Sequence, residues 1–191
     1  MSVRVLSIDP GFTRLGWANL ILEKGELSLG LTGIIGHPRT DESFNEYLDD
    51  GIAEIAEEFP VILSITTPEL IFFENVPPGK LGSRSELNIA ASTACKVLAF
   101  QWGIPWIGIG ANTVKKELTG DGTATKAVVR NTVMELFPVL NQQHKEVKLE
   151  QKKAKEKATG IPQDLFDAVA IGVVGLKLHG QAGDEMQDES R

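Results

Sequence analysis

The stretch VRVLSIDPGFTRLGWANLILEKGELSLGLTGII at 3–35 decides how the fold begins. Its first six residues are rich in apolar and β-branched side chains, which predicts a strand that ends at the turn signal Asp9-Pro10-Gly11. Residues 15–35 then predict two strands that are joined at Lys24-Gly25 as a β-hairpin. Three antiparallel strands therefore open the chain.

The rest of the chain predicts helices that alternate with strands. These elements are a helix at 42–59, a strand at 69–74, a helix at 85–102, a strand at 104–110, and helices at 125–137 and 162–178. Each assignment depends on helical or strand-like spacing of the apolar residues. Three antiparallel strands followed by this alternation predict an α/β fold, in which helices flank both faces of a mixed five-stranded sheet.

Length and composition fit one compact domain. The 191 residues are 42% hydrophobic, and we assign 1–180 to a single domain and the polar stretch 181–191 to a disordered tail. The single cysteine, Cys95, lies among small residues, which favours a packed hydrophobic side chain and a reducing cytoplasm. The start of the chain leads directly into a strand pattern, and no apolar run reaches membrane-spanning length. We therefore expect no signal peptide and no membrane partner.

Charge is distributed unevenly along the chain. The formal net charge is −7, from 19 Lys and Arg against 26 Asp and Glu. Residues 115–157 contain ten basic and six acidic residues, a net +4, which leaves nine against twenty, a net −11, elsewhere. The run KEVKLEQKKAKEK at 145–157 is compatible with a solvated helix face or a loop, and also with contacts to phosphate.

Two carboxylates directly follow strand-like runs. Asp9 comes after the first predicted strand, and Glu74 comes after the apolar run LIFF at 70–73. Functional groups of open α/β sheets gather beyond the carboxyl ends of strands, so we expect these two acids to converge. Asp9 is equally compatible with turn chemistry before Pro-Gly. Glu74 has less structural reason, because burying an unpaired acid is costly.

Two more carboxylates lie at the start of the last predicted helix. Pro162 suits the first turn of that helix, and Asp164 and Asp167 are three residues apart and share one helical face. Asp164 alone is equally compatible with a first-turn acid that interacts with the helix dipole. Asp167 precedes the apolar run AVAIGVV, which predicts a helix that is buried on most sides and leaves less structural reason for an acid.

Four such acids are hard oxygen ligands, which suit Mg²⁺ or Mn²⁺. The chain has one cysteine and three scattered histidines, His37, His144 and His179, so a zinc site is disfavoured. Two divalent ions held a few ångströms apart form the usual clamp for in-line cleavage of a phosphodiester. The four acids therefore predict phosphoryl chemistry on a nucleic acid.

Together these segments resemble the RuvC family of Holliday junction resolvases, Mg²⁺-dependent endonucleases with a ribonuclease H-like fold. The resemblance covers residues 3–178, in the family's order. The segments that carry it are IDPGFTRLGWA at 8–18, Glu74 after LIFF, Val114-Lys115 with Gly120-Asp121-Gly122-Thr123-Ala124-Thr125-Lys126, and Gln163-Asp164 through Asp167-Ala168-Val169-Ala170.

The resemblance implies a role for each candidate residue. The ligands of two Mg²⁺ ions, which Mn²⁺ would be able to replace, would be the catalytic acids Asp9, Glu74, Asp164 and Asp167. Lys126 would offset charge on the scissile phosphate, and a lysine in a first helical turn is disfavoured unless it has such a function. Lys115 would contact the DNA backbone, although a solvated position is as compatible. Lys80 and Arg84, in the loop after Glu74, are candidates to hold DNA near the cut.

The chain also departs from the family's pattern. The family usually carries an aromatic residue three positions after the second acid, where this chain has Pro77, and the difference bears on junction opening and sequence preference. The segment 138–160 is longer and more charged than is typical, and as a basic loop it would either contact a junction arm or remain free. With the acidic net charge, these differences suggest a divergent, phage-type member.

The sequence thus predicts a homodimeric, Mg²⁺-dependent endodeoxyribonuclease in the cytoplasm of a bacterium or of a phage-infected host. It would bind branched DNA and resolve four-way junctions by paired symmetrical nicks, because two symmetry-related cuts need two active sites. The resemblance implies a dimer surface on the helix at 85–102, where Ala90, Ala91, Ala94 and Cys95 permit close approach or instead pack against the sheet. The alternatives are a looser nuclease for flaps and forks and a junction-binding protein without cleavage.

Overall fold

The computed structural model describes residues 2–38, 43–76, 83–155, 157 and 159–188, with the backbone alone at 83, 84 and 180–188. In chain order the elements are β1 Ser2–Asp9, β2 Arg14–Glu23, β3 Glu26–Gly36, α1 Phe44–Thr66, β4 Leu70–Asn75, α2 Ser83–Gln101, β5 Trp106–Gly110, α3 Ala111–Thr119, α4 Lys126–Leu136, α5 Pro138–Lys153 and α6 Gln163–Asp188. Within the described ranges, no helix has the length and apolar character that crossing a membrane requires.

The strands form one mixed sheet in the order β3-β2-β1-β4-β5. β1 pairs antiparallel with β2, and β2 with β3, whereas β1–β4 and β4–β5 are parallel. The hairpin turn between β2 and β3 places Lys24 and Gly25 at φ 53° and 84°, the positive values that a two-residue turn needs. The mixed five-stranded sheet predicted from the sequence is confirmed.

Helices cover both faces of the sheet because its central strands are apolar on both sides. In β4, Ile71 and Phe73 pack under α1 and α2, whereas Leu70 and Phe72 pack under the helices that follow β5. Cys95 is fully buried in the first of these two cores, and burial raises the pKa of its thiol. The expectation that this cysteine is a packed hydrophobic side chain is confirmed.

Several element boundaries differ from those expected. α1 continues through Pro60 to Thr66, and α3 was not predicted at all. The segment after α4 is the helix α5 rather than a basic loop, with Pro138 in its first turn, where the missing amide hydrogen is not needed. α6 continues past the predicted end at 178 to Asp188. The disorder of the segment 181–191 stays a prediction.

Candidate active site

The ends of β1 and β4 bring Asp9 and Glu74 to neighbouring positions. The parallel register pairs Ile8 with Phe73, and the next residue of each strand is the acid. Both side chains are partly buried, because the sheet and its covering helices surround the strand ends. The two acids converge as the strand patterns predicted.

The start of α6 lies against the same end of the sheet because β2 has a glycine there. Gly16 pairs with Asp9 across the antiparallel β1–β2 ladder. A Cβ atom at Gly16 would collide with the backbone carbonyl group of Asp164. Gly172, two turns further along α6, is similarly close to the side chains of Leu20 and Ser7. This close packing brings the helix and its two acids to the strand ends.

The four predicted acids line one cavity of about 520 Å³. Lys126 at the start of α4 and Lys115 on α3 line it as well, so six of the eight candidate residues share this site. Of the other two, Lys80 lies outside the described residues, as does Pro77, and only the backbone of Arg84 is described.

Burial and the neighbouring carboxylates raise the pKa values of the two strand-end acids. Burial, and then the charges of Glu74, Asp167 and Asp164, raise the pKa of Asp9 from 3.8 to about 8, although Lys126 acts in the opposite direction. Burial and Asp167 likewise raise the pKa of Glu74, against the effect of Lys126 and Lys115. At neutral pH the strand-end acids therefore favour an added positive charge, either a proton or a cation.

Lys126 supplies part of that positive charge. Its Nζ lies 3.2 Å from Oδ2 of Asp167, and Nε2 of Gln163 donates to Oδ1 of the same carboxylate at 2.9 Å. Burial acts to lower the pKa of Lys126, but attraction to Asp167, a hydrogen bond to it, and attraction to Asp9 and Asp164 raise it overall. Lys126 is therefore a cation at neutral pH and not a general base.

Arg14 is a second cation of the site, which sequence reasoning missed. Its Nε lies 3.0 Å from Oδ2 of Asp164, and its side chain is 56% exposed. The contact lacks hydrogen-bond geometry, so this buried carboxylate oxygen has no hydrogen-bond donor among the described residues. Gln163 was missed too, although its i,i+4 spacing to Asp167 is a signal that the sequence carries.

The donor set fits hard divalent cations such as Mg²⁺ and Mn²⁺. It consists of four carboxylates, one of them with a buried oxygen that lacks a donor, in a cavity where negative charge is unfavourable. Within the described part of the chain, however, no three acids or other ligands are already gathered closely enough to hold one ion. Like charges repel, and Lys126 and Arg14 turn toward two of the acids. A metal ion that binds here would compete with Lys126 and Arg14 for these carboxylates.

α5 holds the segment that leads into α6. The backbone N–H of Ile161 donates to Nδ1 of the buried His144 at 3.0 Å, and that of Gly160 donates to Oε1 of Gln151 at 2.8 Å. The imidazole also packs edge-on against Phe166, with ring centroids 5.6 Å apart. α5 thus supports the backbone just before the two helix-start acids.

Known proteins share both the sequence pattern and the fold. The family model described as crossover junction endodeoxyribonuclease RuvC matches residues 5–174. A RuvC from Synechococcus sp. (strain CC9311) is 29% identical over 186 residues, which cover 93% of this chain and 100% of that protein. The structure of Thermus thermophilus RuvC has a TM-score of 0.69 at 23% identity, over 95% of this chain and 97% of that one.

A second structure of the Thermus thermophilus protein, in complex with a Holliday junction substrate, has a TM-score of 0.67 at 23% identity, over 90% of this chain and 92% of that one. The likeness to these structures confirms the predicted ribonuclease H-like fold. The family model covers nearly all of the chain between β1 and the middle of α6. The protein therefore belongs to the RuvC family.

Proposed function

We propose that this protein is a metal-dependent endonuclease that resolves four-way DNA junctions by paired symmetrical nicks. The observation that carries the proposal is the cavity in which four carboxylates from β1, β4 and α6 meet beside Lys126. The names of the family and of its relatives, crossover junction endodeoxyribonucleases, support junction DNA as the substrate. The solved complex of Thermus thermophilus RuvC with a Holliday junction gives the same support.

The acids of the cavity hold the divalent ions in this proposal, and the basic residues hold the DNA. The metal ligands are Asp9, Glu74, Asp164 and Asp167. Two bound Mg²⁺ or Mn²⁺ ions would supply an activated water and charge stabilisation for in-line cleavage, which leaves 5′-phosphate and 3′-hydroxyl ends. Lys126 donates to the scissile phosphate, since its ammonium group is charged and its side chain is 70% exposed. Lys115 contacts the DNA backbone from α3, and Lys80 and Arg84 hold the strand near the cut.

The proposed enzyme is a homodimer that associates through α2. Ile89, Val97 and Phe100 form one stripe of this helix and are 44%, 51% and 74% exposed, an apolar surface that a second copy would cover. Of the four small residues expected at the interface, Ala91 and Cys95 are fully buried against the sheet, and Ala90 and Ala94 are only partly buried. We expect a Phe100→Glu variant to sediment as a monomer, and an unchanged dimer would argue against this surface.

We place the enzyme in the cytoplasm of a bacterium or of a phage-infected host. The relatives whose sequences match come from bacteria. The single, fully buried cysteine agrees with a reducing compartment.

A substrate panel tests the function directly. Wild type and Asp9→Asn are incubated in Mg²⁺ with a four-way junction, a replication fork, a flap and a linear duplex. We expect wild type to cut the junction at least about tenfold faster than the other substrates, with paired nicks at symmetrical positions. Asp9→Asn, which lacks one proposed metal ligand, is expected to cut none of them.

A looser branched-DNA nuclease is the second candidate, favoured by Pro77 in place of the family's aromatic residue. Flap cleavage as fast as junction cleavage, without paired nicks, would support it and contradict the strict resolvase. Tight junction binding by wild type with no cleavage in Mg²⁺ or Mn²⁺ would instead indicate a protein that only binds junctions.

A further inference from the structure

A row of basic side chains leads away from the candidate active site along α4. The helix begins at Lys126, which lines the cavity, and Arg130 follows four residues later on the same face. One helical turn, about 5.4 Å, separates the two residues along the helix. Positive charge therefore continues from the cavity toward the next helix.

α5 extends this row. The buried His144 of α5 has a pKa that is lowered by burial and then by the charges of Lys148 and Arg130. Lys148 is one helical turn from His144 on α5, whereas Arg130 belongs to α4. The two helices also contact each other directly. Arg130 and Lys148 thus connect the basic residues of α4 with those of α5.

One flank of the second half of α5 is basic. Lys145, Lys148 and Lys152 are spaced i, i+3 and i+7 and share this flank, whereas Glu146 and Glu150 lie on the opposite one. The side chains of Lys145 and Lys152 are exposed, and that of Lys148 is half-buried. Because the basic and acidic side chains lie on different flanks, α5 has one positively charged side.

No carboxylate of the described chain neutralises these cations. The four ion pairs that the described residues form all involve other basic groups. In addition, Nε of Arg130 is buried and has no hydrogen-bond acceptor within the described ranges. In a chain with a net charge of −7, a row of unneutralised cations is the electrostatic footprint of a polyanion-binding surface.

We propose that Arg130, Lys145, Lys148 and Lys152 form a basic track that binds the phosphate backbone of the duplex arm leaving the cleavage site. Counted from Lys126 at the cavity, the path along the track is about 25 Å long, from one turn of α4, the separation of two packed helices and two turns of α5, which matches roughly seven base pairs. The proposal rests on the proposed function, since the arm is that of the junction substrate. It gives lysines of the basic segment 145–157 a role outside the candidate active site.

The test removes charge from the track and from matched positions elsewhere. The track variant is Lys145→Gln/Lys152→Gln, in which both side chains are exposed and the fold is kept. The control is Lys24→Gln/Lys153→Gln, also exposed, with Lys153 on the same helix but off the basic flank. Binding to a fluorescent four-way junction is measured between 50 and 200 mM salt, in an Asp9→Asn background that separates binding from cleavage.

We expect the track variant to bind about fivefold to tenfold more weakly at low salt, with the slope of log K against log salt reduced by about 1–2. A junction with uncharged methylphosphonate linkages in the first seven base pairs of each arm should lose affinity for wild type. The same junction should lose little further affinity for the track variant, because both changes remove the same contacts. Linkages at positions 12–16 serve as the DNA control.

Equal losses of junction affinity in the track variant and in the charge-matched control would overturn the track. It would also be overturned if the affinity lost through the lysine substitutions and the affinity lost through the methylphosphonate linkages were fully additive. Failure of the proposed function gives a different result. If wild type bound and cut linear duplex as well as junctions, the junction assignment would fall. Non-additive losses of affinity from the track variant and the methylphosphonate linkages, on junction or on linear duplex, would still support the track.

Discussion

The two pairs of acids in the cavity differ in how the fold supplies their positive charge. Asp9 and Glu74 end strands, lie partly buried, and have pKa values raised by burial and by the other carboxylates. Asp164 and Asp167 begin a helix, and each has its own cation, Arg14 or Lys126. The strand-end pair therefore depends most on a bound metal ion to offset its negative charge. The negative charge of the helix-start pair is already offset in part by Arg14 and Lys126.

The largest effect is expected from the strand-end pair. Asp9→Asn should lower junction cleavage at least about 10³-fold, because it removes the carboxylate on which the charges of the other three acids act. Asp164→Asn should lower cleavage less, by about 10²-fold, since Arg14 remains free to contact the DNA. Single-turnover cleavage rates at saturating protein measure both. Equal losses would show that the two pairs do not differ in this way.

The pH dependence of stability is expected to separate the pairs next. The folded-state pKa of Asp9 is about 8 and its unfolded value is near 3.8, so the metal-free folded state binds the extra proton between these limits. Stability contributed by this group is thus present at low pH and lost as pH rises from about 4 to about 8. We expect a loss of a few kcal/mol at most across this window.

Urea unfolding in EDTA at several pH values measures this loss. Asp9→Asn should flatten the profile and be more stable than wild type at pH 8, while Asp164→Asn should reduce the slope only slightly, because Asp164 is the weakest of the three acids that raise the pKa of Asp9. Added Mg²⁺ should flatten the wild-type profile, because a bound cation favours the ionised carboxylates. A wild-type slope that survives in Asp9→Asn would assign the titration to another group.

Removing Lys126, one of the two cations of the helix-start pair, should have a smaller effect on cleavage. Lys126→Met is expected to lower the rate about 10-fold to 10²-fold, because the charge near the scissile phosphate is lost while all four acids remain. Lys116→Met, an exposed lysine on α3, is the matched control and should cut like wild type. A Lys126→Arg variant should recover part of the rate, since the charge is restored. No difference between the two methionine variants would remove Lys126 from the mechanism.

The sequence predicted the sheet and the convergence of all four acids because strands and amphipathic helices have short periods that residue patterns reveal. Contacts between distant segments have no such period. The pairing of Arg14 with Asp164 joins residues 150 positions apart, and nothing local to Arg14 distinguishes it from a solvated arginine. α5 was not assigned as a helix, because Pro138 and a run of lysines are as compatible with a loop as with a solvated helix face, although proline suits a first turn. Only the helical structure of α5 shows that Lys145, Lys148 and Lys152 lie on one flank.

The smallest effect is expected where the two pairs of acids meet. Gly16 lies opposite Asp9 in the sheet and touches the backbone of Asp164, so a methyl group there would push the helix start away from the strand ends. We expect Gly16→Ala to lower the free energy of unfolding by about 1–2 kcal/mol, as overpacking does. Gly36→Ala on β3 is the matched control, since a Cβ atom there meets no other group. Because the displacement separates ligands contributed by both pairs, Gly16→Ala should also weaken Mg²⁺ binding measured by calorimetry, while Gly36→Ala should not. Loss of stability with unchanged Mg²⁺ affinity would mean that the two pairs bind metal independently.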